Sequence, residues 1–223
     1  MAPHLFPGIF FLFSAFILSL LVSISLPGIP TVDIARTHFT GGAAPHIATN
    51  TESIEQIRFG IWAYCTYDQT GDRTCVDSGH GYTVHLLSAS KNITIGPGAT
   101  RGLAVHPVAA GVTSIALLCS FSSHVTLVLI ASLLSFLAAL LTLIAFAIDL
   151  SLYVIVRDRV NHFDNVSARS VAAPGFWMTL VSLILLLLAG CAVYFGRRHS
   201  RMSGAIDYDR PVKPGLFSCF RRF

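Results

Sequence analysis

Charged residues are scarce in this chain of 223 residues, since Asp, Glu, Lys and Arg together make up only 12% of it. A soluble globular domain carries about a quarter charged residues, whereas here 53% are hydrophobic and the mean hydropathy is +0.68. This composition excludes a conventional soluble enzyme, a disordered tail and a nucleic-acid-binding protein. The five cysteines are too few, and odd in number, for the dense disulfide framework of small secreted proteins.

Long apolar runs are what the sequence contains instead. The hydrocarbon core of a bilayer is about 30 Å thick, and a helix needs about 20 apolar residues to cross it. Such runs predict membrane spans at 6–26, 103–121, 125–156 and 174–195. Helices are predicted because each segment must satisfy its own backbone hydrogen bonds in lipid, and the alternation of barrel strands is missing. The predicted fold class is therefore an all-α membrane protein with a four-helix transmembrane bundle.

The first apolar run has an alternative interpretation as a signal peptide, because the Ser-Ile-Ser sequence at 23–25 loosely fits a cleavage site. Residues 1–5 contain no Lys or Arg, and the run is longer than the apolar segment of most signal peptides. Both observations favour a membrane span.

Basic residues indicate the orientation of these spans. The tail at 196–223 carries seven Lys and Arg residues, whereas the loop at 157–173 carries three. The positive-inside rule places the tail, the N-terminus (1–5) and the turn at 122–124 in the cytoplasm. The outer loops are then 27–102 and 157–173, and the sequons at Asn92 and Asn165 fall there as candidate glycosylation sites. The basic tail is expected to contact anionic lipids, and Cys219 is a candidate for palmitoylation.

Small residues four positions apart indicate where helices contact one another in lipid. Ala131, Ser135 and Ala139 form such a row on the third span, and Ala110 with Ser114 begins another on the second. Ordinary use of alanine and serine in apolar helices explains the same pattern equally well. The leucine-rich stretch at 183–188 is expected to face lipid.

Asp149 lies at the end of the third apolar run. An ionisable residue buried inside a span is a functional-site hypothesis by default, and His106 at the start of the second span is the other such residue. The alternative, which the position favours, is that Asp149 sits near the outer headgroups. There it would pair with His106 or Arg101 of the neighbouring helix.

The outer loop at 27–102 has the composition of a small β-sheet. Strands are expected at 31–35, 56–66, 81–87 and 91–95, where β-branched and aromatic residues lie between Gly and Asp clusters. The polar stretch at 41–49 is predicted to be flexible. Cys65 and Cys75 flank a turn at 68–72 on the oxidising side of the membrane, so a disulfide across a hairpin is predicted. Two free thiols are the alternative; closing this short loop stabilises the fold by roughly 2–3 kcal/mol.

Gly60-Ile61-Trp62, followed by Cys65 and by Cys75 after nine intervening residues, resembles the Gly-Leu-Trp-x-x-Cys…Cys signature of the claudin-like tetraspan superfamily. The strings at 58–65, 103–111 and 147–150, the last leading into 156–157, are similar to the fungal PalI family, which includes pH-response regulators and eisosomal cortical-patch proteins. The likeness extends over nearly the whole chain. It implies a claudin-like fold in which Gly60, Trp62, Cys65 and Cys75 are structural and Trp62 anchors the sheet on the helices.

The resemblance implies a non-catalytic plasma-membrane protein that assists an ambient-pH-sensing receptor complex. Its partner would be a polytopic membrane protein, such as that receptor, or a second copy of the chain. The alternative function is structural organisation of membrane microdomains. Many relatives have longer cytoplasmic tails than the segment at 196–223, so signalling through the tail is not expected.

Metal, cofactor and catalytic chemistry receive little support from the residues. The outer loop contains His38, His46, His80 and His85, but they are scattered at an ordinary density, which argues against direct pH sensing. The spacing of His80 and His85 suits neither one helix face nor one strand face, and no Cys or carboxylate cluster completes a metal site. No nucleophile with an adjacent base and no phosphate-binding loop is found. We therefore expect no enzyme activity, no metal and no cofactor.

Overall fold

A computed structural model describes residues 6–40, 45–47, 53–77, 79, 81–87, 92–122, 124–161 and 167–208. Its helices are α1 (Phe6–Ser23), α2 (Pro97–Thr100), α3 (Val105–Ser120), α4 (Val125–Asn161) and α5 (Pro174–Tyr208), with a 3-10 turn (Arg101–Ala104) between α2 and α3. Its strands are β1 (Ala35–Thr40), β2 (His46–Ile47), β3 (Ile54–Phe59), β4 (Ala63–Asp68), β5 (Arg73–Asp77), β6 (Val84–Leu87), β7 (Asn92–Ile95) and β8 (Ser167–Ala172).

Three helical stretches in the described residues are long and apolar enough to cross a membrane: Pro97–Ser120, Thr126–Asn161 and Pro174–Ala192. A shorter apolar helix, Pro7–Ser23, precedes them. The second of the three stretches belongs to α4, whose 37 residues make it about 55 Å long, well beyond a hydrocarbon core of about 30 Å. One end of α4 therefore extends out of the lipid.

The helices pack side by side, with α1 against α3 and α5, and α4 against α3 and α5. The row of Ala131, Ser135 and Ala139 predicted on the third span is buried in this packing. Ala110 is buried as well, while Ser114 is only partly covered. Within the described residues, the exposed large hydrophobic side chains lie on these helices or next to their ends, which is the surface expected next to lipid.

The stretch at 183–188 does not face lipid as a whole, so that prediction was wrong. Leu183 and Leu186 are buried in a cluster with Leu12 and Ala116, whereas the exposed residues of the stretch include Ile184, Leu187 and Leu188. An α-helix has 3.6 residues per turn, so six consecutive residues necessarily lie on both its packed face and its exposed face.

Two antiparallel sheets lie at one end of the helices. The larger has the strand order β5-β4-β3-β1-β8, and the smaller has the order β2-β6-β7. Strand β8 comes from the predicted loop at 157–173 and pairs with β1 from Ala35 opposite Ala172 to Thr40 opposite Ser167. Two segments far apart in the chain therefore form one sheet at the same end of the helices.

The strand predictions were only partly right. β6 and β7 lie inside the predicted 81–87 and 91–95, and the predicted 56–66 is two strands, β3 and β4, separated at Gly60-Ile61-Trp62. The prediction at 31–35 was wrong, because β1 begins at Ala35. Most of the stretch predicted to be flexible, 41–49, lies outside the described residues, but β2 falls within it.

The core of the larger sheet includes the extended end of α4. Leu152, Val156 and Val160 of this helix are buried in one cluster with Ile57 and Phe59 of β3. Burial of one such side chain is worth about 1.5–3 kcal/mol. The projecting turns of α4 are thus the support on which the sheet rests.

Candidate functional site: the attachment of the larger sheet to the helices

The Gly60-Ile61-Trp62 loop between β3 and β4 lies against the end of α1. The indole N–H of Trp62 donates to the carbonyl of Ser23 at 2.7 Å, and the amide of Ile61 donates to the hydroxyl of Ser25 at 3.1 Å. The last carbonyls of a helix have no partner inside it, so the indole satisfies one of them. A Cβ at Gly60 would lie 2.5 Å from Leu26 Cβ, which explains why this position is glycine.

Tyr82 fixes the same loop from the other side. Its hydroxyl donates to the carbonyl of Gly60 at 2.7 Å, and its ring lies against Tyr64 with centroids 5.6 Å apart. The hydroxyl of Thr100 in turn donates to the carbonyl of Tyr82 at 2.8 Å. Complete burial raises the pKa of the Tyr82 hydroxyl well above its ordinary value, so it remains a donor at all physiological pH values.

The predicted disulfide is present. Cys65 on β4 and Cys75 on β5 are directly opposite in the antiparallel register, and their sulfurs are bonded. The turn between them is closed by Asp68, whose carboxylate accepts the amides of Thr70 and Asp72 at 2.9 and 2.8 Å. These two features hold β5 on the edge of the larger sheet.

Asp33 joins the sheet to the start of α5, and sequence reasoning missed it. Its carboxylate is fully buried and accepts two hydrogen bonds from the Arg36 guanidinium, at 2.8 and 2.9 Å. Its backbone carbonyl accepts the amide of Gly175 at 2.8 Å, and a Cβ at Gly175 would lie 2.7 Å from that oxygen. The Asp at i with Arg at i+3 is the only local signal, and it is common in unrelated loops.

His106 and Asp149 meet inside the helix packing. The Nε2 of His106 donates to Oδ1 of Asp149 at 3.0 Å, and both side chains are buried. Oδ2 of Asp149 has no partner among the described residues. His106 is thus one of the two partners predicted for Asp149 from the sequence, and the carboxylate is covered by protein.

A small cavity with both polar and apolar lining residues lies next to His106, within the helix packing. Its volume is about 10 Å³, measured as the space open to the centre of a water molecule, which is the size of one buried water. Every long helix contributes to its lining, which includes Ser19, His106, Thr142, Thr179 and Ser182. The hydroxyls of Ser19 and Ser182 are hydrogen-bonded to each other at 2.8 Å across α1 and α5.

His38 on β1 lies in a positively charged environment on the larger sheet. Its pKa is lowered from the ordinary 6.5 by burial first and then by Arg36, Arg58 and Arg169, while Glu55 acts in the opposite direction. Because the neutral ring is favoured in the folded protein, the stability contributed by His38 is present above pH 6.5. It is lost as the pH falls below that value towards the folded-state pKa.

Replacing Arg169 with glutamine should raise the pKa of His38, because one of the cations that oppose its protonation is removed. The Glu55→Gln variant is the matched control and should lower the same pKa further. Side-chain NMR titration of His38 in detergent micelles measures both shifts. Equal or same-direction shifts in the two variants would contradict this account of the sheet.

A comparison with protein families matches the SUR7/PalI family over residues 4–189. The match covers most of the chain, including α1, both sheets and the apolar part of α5. The chain belongs to the SUR7/PalI family. The resemblance seen in the sequence is thereby confirmed, and a claudin-like fold is consistent with this family. The comparison with individual curated proteins gives no match.

Membership of the SUR7/PalI family, together with the apolar helices, makes this a membrane protein. The family is not a known enzyme family. Among the described residues, no group of three His, Cys, Asp or Glu side chains could hold a metal ion.

The remaining predicted site residues do not contribute to the attachment of the larger sheet to the helices. Asn92 is exposed at the start of β7, as a glycosylation acceptor requires. His85 is exposed on β6, away from His38 on β1. Asn165, His80 and Cys219 lie outside the described residues.

Proposed function

We propose that this SUR7/PalI protein is a non-catalytic plasma-membrane protein that assists the assembly, stability or localisation of an ambient-pH-sensing receptor complex. It crosses the bilayer four times, with both termini in the cytoplasm and both sheets outside. Its action is lateral: the helices contact the spans of a polytopic partner while the outer sheet meets that partner's outer domain. The basic tail adds contact with anionic lipids.

The pairing of β1 with β8 supports an arrangement of four spans. These strands precede α3 and follow α4, so the chain leaves and returns to one side of the membrane between them. The 18 residues of α1 make it about 27 Å long, close to the thickness of the hydrocarbon core. The end of α1 meets the sheet at Trp62, which supports a crossing by this helix as well.

The attachment of the outer sheet to three helices is the observation that carries the proposal. Trp62 binds the end of α1, Asp33 binds the start of α5, and the sheet core includes Val156 of α4. A surface fixed in this way holds one orientation relative to the spans. It is suited to docking another membrane protein from outside the lipid and inside it at once.

Co-purification from native membranes in mild detergent tests the proposal. The tagged full chain, crosslinked through the outer loop before solubilisation, is expected to bring down one receptor-like polytopic protein in a fixed ratio. Loss of this chain should lower the surface level of that receptor. Ordered homo-oligomers without such a partner would overturn the proposal in favour of a structural organiser of membrane microdomains.

A further inference from the structure

The face of the larger sheet that points away from α4 carries cations from four strands. On β1, Thr37 and Phe39 are buried on the inner side, and the alternate residues Arg36 and His38 therefore lie on the opposite face. The register adds further arginines to that face. We call it the arginine face, and its cations are Arg36, His38, Arg58, Arg73 and Arg169.

The register sets these residues in two rows across the sheet. One row runs, strand by strand, through directly opposite residues: Arg169, His38, Gln56, Tyr67 and Arg73. The next row is Val171, Arg36, Arg58, Cys65 and Cys75. Neighbouring strands lie about 4.8 Å apart, so each row is about 19 Å long. The first row ends in an arginine on both sides.

Most of this positive charge is not neutralised by ion pairs within the part of the chain that the structure describes. Arg36 is paired with Asp33, but no ion pair of Arg58, Arg73 or Arg169 is found among the described residues. Burial is the first cause of the lowered His38 pKa, and Arg36 and Arg58 each affect that pKa more strongly than Glu55, the carboxylate that acts in the opposite direction. The arginine face therefore attracts carboxylates or other anions.

The side chain of Arg58 is fixed in one orientation on this face. Its guanidinium lies 4.3 Å above the Tyr67 ring and donates to the Pro30 carbonyl at 3.0 Å and to the Gln56 side-chain oxygen at 3.1 Å. Arg73 and Arg169, by contrast, are exposed. A central arginine with a fixed side chain, surrounded by exposed arginines at the rim, is an arrangement typical of a protein–protein interface.

We propose that the arginine face docks an acidic segment of a partner protein's outer domain. This inference rests on the proposed function, which requires a partner on the outer side. Arginine forks bind carboxylates through two parallel hydrogen bonds. The cations alternate with Tyr67, Val171 and the disulfide, and they include no lysine. Arginine and tyrosine enrichment with lysine depletion is the composition of a protein–protein interface, which favours a protein over a lipid headgroup or an anionic polysaccharide.

Peptide binding to the full chain in nanodiscs of neutral phosphatidylcholine tests this inference. The probe is a fluorescent peptide of four Glu-Tyr-Gly repeats, compared with four Gln-Tyr-Gly repeats by anisotropy. The glutamate peptide should bind more tightly, and the R73Q/R169Q variant should weaken it about tenfold. Arg101→Gln is the control, because it removes a charge of the same sign from an exposed site outside the arginine face and should leave the affinity unchanged.

Several results would overturn the inference. Equal binding of the two peptides, or an equal loss of affinity in Arg101→Gln, would show that the arginine face does not bind carboxylates specifically. The same is shown if dextran sulfate or phosphatidylserine vesicles bind through Arg73 and Arg169 while the peptide does not. Because both arginines are exposed and make no ion pair in the described structure, the double variant should fold, and an unchanged melting temperature checks this.

A crosslinking experiment separates this inference from the proposed function. If the receptor-like partner co-purifies equally with the wild type and the R73Q/R169Q variant, the arginine face is not its docking site, while the proposed function stands. If no such partner co-purifies with the wild type, the proposed function itself fails. A selective loss of that partner from the double variant supports both.

Discussion

Replacement of His106 with leucine should lower the free energy of unfolding by about 3–5 kcal/mol, because it leaves Asp149 buried without a partner. The carboxylate is fully covered, and its Oδ1 atom is bonded to His106 alone among the described residues. Its Oδ2 atom already has no partner. The loss is measured by SDS-induced unfolding in bicelles.

The double variant H106L/D149A is the control for this prediction. It removes both polar groups and roughly conserves the combined side-chain volume, and replacing a buried pair by apolar groups is often close to neutral. Most of the stability lost in H106L should therefore return. If the double variant is as unstable as the single one, the loss comes from packing, and the pair is not what holds α3 to α4.

Replacement of Gly60 with alanine should lower the free energy of unfolding by about 1–3 kcal/mol, which is the usual cost of inserting a methyl group into a tight contact. The new Cβ would lie 2.5 Å from Leu26 Cβ and 3.0 Å from the Leu26 amide nitrogen. Backbone atoms cannot move aside as a flexible side chain does. The loop should shift and weaken the Trp62 hydrogen bond to Ser23.

Gly96→Ala is the matched control for Gly60→Ala. Gly96 precedes α2 with an ordinary φ of −79°, and a Cβ there would meet no atom within 4 Å. The change should therefore be neutral or slightly stabilising. Thermal unfolding in detergent, followed by tryptophan fluorescence, compares the two variants. Equal melting temperatures would show that the close contact at Gly60 is not a constraint.

The helices and the disulfide could be predicted from the sequence because their signals are local. Apolar length alone indicates α4, and the spacing of Cys65 and Cys75 across a turn indicates the hairpin. The sequence limited the partner of Asp149 to His106 or Arg101, since two antiparallel helices joined by a short turn bring residues of equal depth together, and the structure shows that the partner is His106.

The joints between sheet and helices could not be predicted, because each depends on residues far apart in the chain. Strand β8 has few β-branched residues, and its partner β1 is more than a hundred residues earlier. The backbone carbonyl of Asp33 meets the start of α5 at Gly175, which lies far along the chain. The break between β3 and β4 at Gly60-Ile61-Trp62 could not be predicted from the sequence, because this loop is as apolar and aromatic as the strands on either side.

Labelling of single cysteines tests most directly the proposal that the chain crosses the membrane four times with the cystine-bearing sheet outside. In a background where Cys119, Cys191 and Cys219 are serine, single cysteines at Thr70 and Ser122 are treated in intact cells with a membrane-impermeant maleimide. Thr70→Cys, at the tip of the β4–β5 hairpin, should be labelled at once, and Ser122→Cys, between α3 and α4, only after permeabilisation. Labelling of Ser122→Cys with protection of Thr70→Cys would contradict the account.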